Sequence, residues 1–327
     1  MRALVCAALL AGCASFEDPT IVLDLRVLAI ETTPPEQVLD IDPRRQPTLD
    51  EVLSQLQPVL IRALVADPAR GDALVWSATA CILEEDSDRC IAGKPAFEIA
   101  SGVLDDPESE LPGSGCTGRP EEPGTICALL VPDTRLVQIL FAALQDDPTR
   151  GLGGIDLGIQ LRVLGDVEVF AAKRIRFSPR VPANRRANRN PEIQVLQIGT
   201  SNTGMAGTRS HCGSIHGGTP NRVRSRELVT LFPEAGEGDQ EEYVLPTLDG
   251  GSETFREYLT YRWLANAGSF TEEVTGGPPD TFGNVTLPGT QWRAPEVDRS
   301  VDVTVWVFQR DGRYGVHWRE VCIRVDP

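Results

Sequence analysis

Short stretches of alternating apolar and polar residues recur along this chain, and each predicts a strand with one buried face. The clearest of them are 58–66, 74–80, 159–171, 259–265 and 301–325. An apolar, β-branched run over 20–30 predicts a first strand, which Pro34-Pro35 stops because proline cannot continue a ladder. The stretches 58–66 and 74–80, joined by turn residues, predict two neighbouring strands. The chain is therefore expected to be mainly β.

Two segments between these strands have helical features. Thr48 and Glu51 have the spacing of a capping box, which predicts a short helix through about Gln57. The apolar positions of 133–144 follow helical spacing, but the central run 136–141 would equally suit a buried strand. The sequence leaves both interpretations of this second segment open.

Tryptophan motifs mark the C-terminal part of the chain. Tyr261-Arg262-Trp263 lies in one alternating stretch, Trp292-Arg293-Ala294-Pro295 precedes the last two strands, and 305–312 ends at an Asp-Gly turn. On these residues, the region 255–327 resembles the Ig-like and PKD-like β-sandwich modules of bacterial surface proteins. Tyr314 departs from that pattern, since such modules often have glycine there, so the turn is expected to differ. The resemblance implies a sandwich but says little about function, because this scaffold hosts many roles.

The length of 327 residues exceeds what one core usually organises, which predicts two domains. We expect two tandem Ig-like β-sandwich domains with one or two short helices in the first. The boundaries are a β-rich domain one over 20–178 and an Ig-like/PKD-like sandwich over 192–327. Residues 179–191 are rich in Arg, Asn and Pro and predict a basic linker. Its charges favour pairing with acidic domain surfaces over binding an anionic glycan or an acidic partner.

The first 12 residues have the layout of a secretory signal, with Arg2 followed by a short apolar run. That run is too short to span a bilayer as a helix. Leu10-Ala11-Gly12-Cys13 resembles the lipobox of bacterial lipoproteins, which implies cleavage before Cys13 and acylation of its thiol. The alternative is an ordinary signal peptide with a chance cysteine.

The lipobox resemblance also implies a location. Residues 13–19 would form a lipid-anchored tether, and Ala14 implies an outer-membrane address, with the protein facing the periplasm or the cell surface. Two or three acyl chains would hold the chain firmly at that membrane. Taken whole, the sequence is similar to surface lipoproteins of predatory soil bacteria.

Cysteine usage fits an oxidising compartment. The eight cysteines become six once Cys6 leaves with the signal and Cys13 is lipidated. Disulfides are expected among the remaining six, which are Cys81, Cys90, Cys116, Cys127, Cys212 and Cys322. If no bridge crosses domains, Cys212 pairs with Cys322, while three pairings stay open among the first four. The stretch from Cys81 to Cys127 is rich in Gly, Pro and acidic residues and is expected to be a disulfide-stapled loop region.

Charge limits the partners. The chain has 31 basic and 47 acidic residues, a formal net charge of −16, which becomes −17 when Arg2 leaves with the signal. Such a surface repels nucleic acid and anionic lipid. We expect no nucleic-acid partner, and membrane contact only through the N-terminal lipid.

No set of residues has the spacing of a catalytic or metal site. His211, Cys212 and His216 could approach one zinc ion, but a fourth ligand is missing and Cys212 has a disulfide partner. Residues 213–217 lack the spacing of a hydrolase elbow, and 151–154 lack the third glycine of a phosphate-binding loop. The acidic runs, 84–88 and 105–110, lack the glycine-centred loop of an EF-hand. We predict no catalytic residue, no metal and no cofactor.

The function expected from these observations is that of a non-enzymatic binding or structural module. It would bind an envelope protein or a glycan through loops at the ends of the sandwiches. The alternative is a hydrolase whose site is assembled from loops scattered in sequence, with 81–127 as its expected home. A pocket of converging polar residues would favour the hydrolase, and a flat loop surface would not.

Overall fold

A computed structural model describes residues 18–42, 45–68, 73–104, 124–199, 205–206, 212 and 221–327. Within these ranges the chain is mainly β and forms two tandem β-sandwiches, with two helices in the first. The predicted fold class is confirmed.

The N-terminal sandwich has a three-stranded and a five-stranded sheet with orders β1-β3-β6 and β2-β8-β7-β4-β5. Its strands are β1 (Arg26–Thr33), β2 (Glu36–Leu39), β3 (Val59–Ala66), β4 (Leu74–Cys81), β5 (Phe97–Leu104), β6 (Thr125–Leu130), β7 (Ile155–Leu164) and β8 (Glu168–Pro179). Its helices are α1 (Leu49–Leu53) and α2 (Thr134–Asp146). The two sheets and α2 enclose one apolar core.

Both helices start at caps that the sequence contains. Thr48 and Glu51 form the predicted capping box of α1, which ends at Leu53, earlier than expected. The Asp133 side chain accepts a hydrogen bond from the backbone N–H of Leu136 and so caps α2. The ambiguous segment is therefore a helix, and its apolar face packs on the core.

The C-terminal sandwich has two five-stranded sheets with orders β10-β9-β12-β18-β16 and β11-β20-β19-β15-β17, and β13 and β14 form a separate hairpin. Its strands are β9 (Ile193–Ile198), β10 (Met205–Ala206), β11 (Asn221–Arg224), β12 (Leu228–Ala235), β13 (Glu242–Pro246), β14 (Ser252–Arg256), β15 (Thr260–Ala265), β16 (Ser269–Phe270), β17 (Val274–Gly276), β18 (Thr290–Arg293), β19 (Val301–Arg310) and β20 (Val316–Asp326). The predicted C-terminal hairpin is β19–β20.

The two sandwiches share one topology. Strands β1-β3-β6 correspond to β9-β12-β18, and the sheet β2-β8-β7-β4-β5 corresponds to β11-β20-β19-β15-β17. In both halves a short strand pairs in parallel with the last strand, as β2 with β8 and β11 with β20. Trp76 and Trp263 are buried on corresponding strands, β4 and β15. This order, with a buried tryptophan on the third major strand, is that of an Ig-like sandwich.

Three strand predictions need correction. The first strand begins at Arg26, and the run 20–22 lies instead against β15, where Ile21 bridges Ala265. Strands β3 and β4 lie in different sheets, because the connection between them crosses the sandwich. The stapled-loop prediction for 81–127 is wrong for Phe97–Leu104, which pairs with β4 as an edge strand.

The sandwiches meet through an apolar junction cluster. Its buried members are Val22, Ala29, Leu64, Ala66, Leu264, Trp306, Phe308, Val316 and Trp318. Alternation along β3 explains it: Ile61 and Val65 face the N-terminal core, whereas Leu64 and Ala66 face the other sandwich. The prediction that only one face of these strands is buried is therefore wrong near the junction.

A buried ionic network lies beside this cluster, and we call it the junction network. Its centre is Glu36, whose carboxylate accepts hydrogen bonds from Ser178, Arg185, the backbone of Asn188 and Arg313. The predicted linker 179–191 thus places charged and polar side chains inside the protein rather than on an exposed tether.

Arg313 connects this network to a second carboxylate. Its Nη1 donates to Glu257 at 2.8 Å while its Nη2 donates to Glu36, also at 2.8 Å. Burial raises the pKa of Glu257 to about 7, against the opposing effect of Arg313. Two buried carboxylates from different sandwiches therefore share one guanidinium.

Candidate functional site

An open cleft of about 700 Å³ lies at one end of the C-terminal sandwich. We call it the sandwich-end cleft. Four separate segments line it, and they are 232–240, 256–261, 276–277 and 285–288. Binding residues are often carried by loops that a rigid scaffold positions, as the sheets position the loops here.

The floor of the cleft is fixed by the sheet beneath it. Tyr261 is buried on β15, and its hydroxyl accepts a hydrogen bond from Gln309 on β19. Burial raises the pKa of Tyr261 to about 12, so its hydroxyl stays neutral at physiological pH. Gly276 takes a φ of +72°, and a Cβ there would lie 2.5 Å from the carbonyl oxygen of Leu259. Glycine at 276 therefore lets β17 lie close to the start of β15.

One wall is the turn between β12 and β13. The Asp239 carboxylate accepts hydrogen bonds from the backbone N–H groups of Gly236 and Glu192, at 2.7 and 2.9 Å. Beyond it Gln240 is exposed and accepts a hydrogen bond from Arg256 on β14, at 3.4 Å. Asp239 therefore stabilises the turn, while the side chains of Gln240 and Arg256 supply polar groups to the cleft.

The opposite wall is the loop between β17 and β18. Asp280 closes it by accepting hydrogen bonds from the backbone N–H groups of Phe282 and Asn284, and the Asn284 side chain donates to it as well. These bonds lower the pKa of Asp280. The loop nevertheless presents Phe282, Val285 and Leu287 to solvent, with Phe282 90% exposed. Apolar side chains grouped on one exposed loop are typical of interaction sites.

The hairpin β13–β14 projects beside the cleft and is attached to the junction network. Tyr243 and Phe255 stack across it with ring centroids 5.5 Å apart. The guanidinium of Arg313 lies over the Tyr243 ring at 4.2 Å. The position of this hairpin therefore depends on the same arginine that joins Glu36 to Glu257.

This arrangement suits binding by shape and hydrogen bonds. Gln240, Arg256 and Thr286 supply donors and acceptors, and Val285 and Pro288 supply apolar contacts. Among the described residues, no three His, Cys, Asp or Glu side chains are grouped as a metal site would require. Neither described helix is long and apolar enough to cross a membrane.

The cysteines lie as follows. Cys212 is bonded to Cys322, as predicted. Cys81 is bonded to Cys90, which decides among the three pairings left open for the first four cysteines. Cys127 is also disulfide-bonded. Cys13 and Cys116 lie outside the described residues, as do His211, His216, Ser214 and the acidic run 105–110.

Two further predicted features and His317 have structural roles. Gly151 and Gly154 both take positive φ in the turn before β7, so this glycine run is a turn. The acidic run 84–88 lies in the turn closed by the Cys81–Cys90 bridge. His317, on β20, accepts a hydrogen bond from the backbone N–H of Ile193 through Nδ1 at 3.1 Å.

Tyr314 lies in the turn between β19 and β20. It takes a φ of +77°, a conformation that favours glycine. Its hydroxyl donates to Asp156 at 2.7 Å and accepts from Arg176 at 3.0 Å, both in the N-terminal sandwich. The hydroxyl of Tyr314 thereby joins this turn to the N-terminal sandwich.

No protein-family model matches the chain, and no curated protein matches it. Among solved structures, the two tandem V-type regions of VCBP3, a v-region-containing chitin binding protein, are 10% identical, with 92% of this chain and 100% of that one covered and a TM-score of 0.27. DIP-gamma IG1+IG2 is 8% identical, with 93% and 98% covered and a TM-score of 0.20.

A nucleoside hydrolase-related hypothetical protein from Saccharophagus degradans is 12% identical over 43% of this chain, with a TM-score of 0.23. The alignment spans 26% of that protein's length. Scores this low assign no relationship. The description of this chain as a tandem Ig-like β-sandwich protein therefore rests on its own strand order.

Proposed function

We propose that this chain is a lipid-anchored envelope protein that binds a glycan or another envelope protein at the sandwich-end cleft. The observation that carries the proposal is the exposed apolar loop at the edge of the cleft, which is typical of interaction sites. The polar side chains inside the cleft suit a bound ligand and are also what the hydrolase alternative predicts. A ligand site of several hundred Å³ with a few placed polar groups is the usual form of a binding pocket.

The chemistry of the cleft supports an extended ligand with polar edges and apolar faces. A sugar ring and a peptide both have this character. Gln240 and Arg256 would hydrogen-bond the edge, while Val285 and Leu287 would cover the face. The openness of the cleft between two projecting segments, the hairpin β13–β14 and the loop 277–289, suits a polymer that continues past it.

Substitution of the polar edge tests the proposal. We expect Gln240→Ala with Arg256→Ala to weaken ligand binding by about tenfold or more, because two hydrogen-bonding groups are lost from one site. Binding is measured with residues 14–327, which include every described residue, on arrays of bacterial surface glycans and on envelope extracts. Arg224→Ala is the matched control, since Arg224 is exposed on β11, away from the cleft.

Two results would contradict this assignment. One is that every ligand which binds the wild type also binds the cleft variant as tightly as it binds the control. The other is no retained ligand at all, together with turnover of a generic ester or peptide substrate, which would support the hydrolase alternative instead.

The anchor is tested separately by metabolic labelling with a fatty acid. Wild-type protein is expected to take up label and to fractionate with the outer membrane, whereas Cys13→Ala is expected to take up none. Cys127→Ala serves as a control for general loss of a cysteine. Label that persists in Cys13→Ala would refute the anchor without bearing on the cleft.

A further inference from the structure

A second cavity, of about 320 Å³, lies between the two sandwiches, and we call it the junction cleft. Four parts of the chain form its walls: strand β1 at 29–30, strand β8 at 172–174, the disulfide-closed turn at 83–88, and the turn that joins β19 to β20 at 310–316. Both sandwiches therefore contribute side chains to one cavity, which is separate from the sandwich-end cleft.

Three cations line the junction cleft, and they are Lys173 and Arg174 from the N-terminal sandwich and Arg310 from the C-terminal one. Lys173 is only 9% exposed, and its ammonium group donates to the carbonyl oxygen of Tyr314. Arg174 donates to the carbonyl oxygen of Glu84. Within the described part of the chain, none of the three forms an ion pair with a carboxylate.

The nearby carboxylates are already engaged by other groups. Asp311 accepts hydrogen bonds from Asn188 and from the backbone N–H groups of Arg313 and Gly315. Glu31 accepts from Arg62. Asp88 is the acid that lines the cleft itself. The cleft itself is therefore lined by three cations and one acid, in a chain whose net charge is −16.

We propose that the junction cleft binds an oxyanion group of two negative charges, such as a sulfate or phosphate group, between Lys173, Arg174 and Arg310. Guanidinium and ammonium groups are the usual ligands of such groups. Lys173 and Arg310 repel each other across the cleft, and an anion between them relieves that repulsion. Because the cations come from both sandwiches, the bound anion also ties the sandwiches together.

The state of Lys173 gives this site a characteristic pH dependence. Burial lowers its pKa to about 8, and it faces Asp311, Arg310 and Glu31. An anion binds the protonated form, so affinity falls as pH rises through about 8 and protons are taken up on binding. Sulfate is the suitable probe for this measurement, since its own charge stays constant over the range.

The test is calorimetric titration of residues 14–327 with sodium sulfate at constant ionic strength, with sodium chloride as the balancing salt. We expect Arg310→Gln and Lys173→Met each to weaken sulfate binding by about tenfold, because each removes a charge-assisted hydrogen bond. Arg224→Gln makes the same change of net charge at an exposed site and is expected to bind as wild type does. The pH dependence is expected to disappear in Lys173→Met.

Lys173 is buried, so its replacement could impair folding. Arg310 is exposed, so the Arg310→Gln variant tests the site without that complication. Equal affinities of Arg310→Gln and Arg224→Gln would overturn the proposal, as would the absence of binding heat at millimolar sulfate. If a sugar phosphate binds more tightly than inorganic phosphate, the natural ligand is a larger molecule that carries the phosphate group. If the two bind equally, the natural ligand is the free oxyanion.

Discussion

Replacing Glu36 by glutamine is expected to lower the free energy of unfolding by about 3–5 kcal/mol. Glu36 is 2% exposed, and its carboxylate contacts both Arg185 and Arg313, at 3.0 and 2.8 Å. Glutamine keeps the size of the side chain but removes the one carboxylate that pairs with Arg185 among the described residues, while Arg313 keeps its ion pair with Glu257. A buried charge that loses its partner cannot recover hydration, so the cost exceeds that of a lost hydrogen bond.

The matched control is Glu168→Gln, because Glu168 pairs with Arg162 at the surface, where both side chains are more than 40% exposed. Its expected cost is below about 1 kcal/mol. Both variants are measured by urea unfolding followed by tryptophan fluorescence. A cost for Glu36→Gln no greater than for Glu168→Gln would show that the junction network does not stabilise the fold.

Replacing both Cys212 and Cys322 by serine is expected to cost about 4–5 kcal/mol in the chain-entropy account of disulfides. The bridge closes a sequence separation of 110 residues, which includes most of the C-terminal sandwich. Cys322 is buried on β20 in the middle of the β19–β20 pairing. In this account the loss of the bridge acts by returning conformational freedom to the unfolded chain.

The shorter bridge provides the comparison. Cys81 and Cys90 are nine residues apart, and the same account gives about 2–3 kcal/mol for their double serine variant. Unfolding of both double variants by urea, under identical conditions, tests the ordering. If the two variants lose equal stability, or if the short bridge contributes more, loop length does not set the contribution of these disulfides.

Strands could be predicted from the sequence where the alternation of buried and exposed side chains determined the residue types. Along β15 and β19 the side chains that face the core alternate with those that face away, so periodicity alone located both strands. Strand β5 was missed because its sequence contains Ser101 and Gly102 and most of its side chains are only partly buried. Periodicity also could not place β3 and β4 in different sheets, since pairing partners are set by the path of the connection.

The candidate sites were less predictable for a physical reason. Glu36 is 149 residues from Arg185 and 277 from Arg313, and no local pattern marks a buried ion pair between such distant positions. The linker arginines were recognised as cations that pair with acids, but their burial depends on how the sandwiches meet. The sandwich-end cleft likewise combines segments that are neighbours only after folding, although Gly276-Gly277 signals one of its turns.

The segment before β1 determines how a force applied to the N-terminus is distributed. Val22 donates a backbone hydrogen bond to the carbonyl oxygen of Ala265 at 2.8 Å, and Ala265 donates to that of Thr20 at 2.9 Å. A pull on the N-terminus thus reaches the C-terminal sandwich before it enters β1. While these bonds hold, the load passes directly to the C-terminal sandwich, so stretching the N-terminal sandwich requires that this short segment first detach from β15.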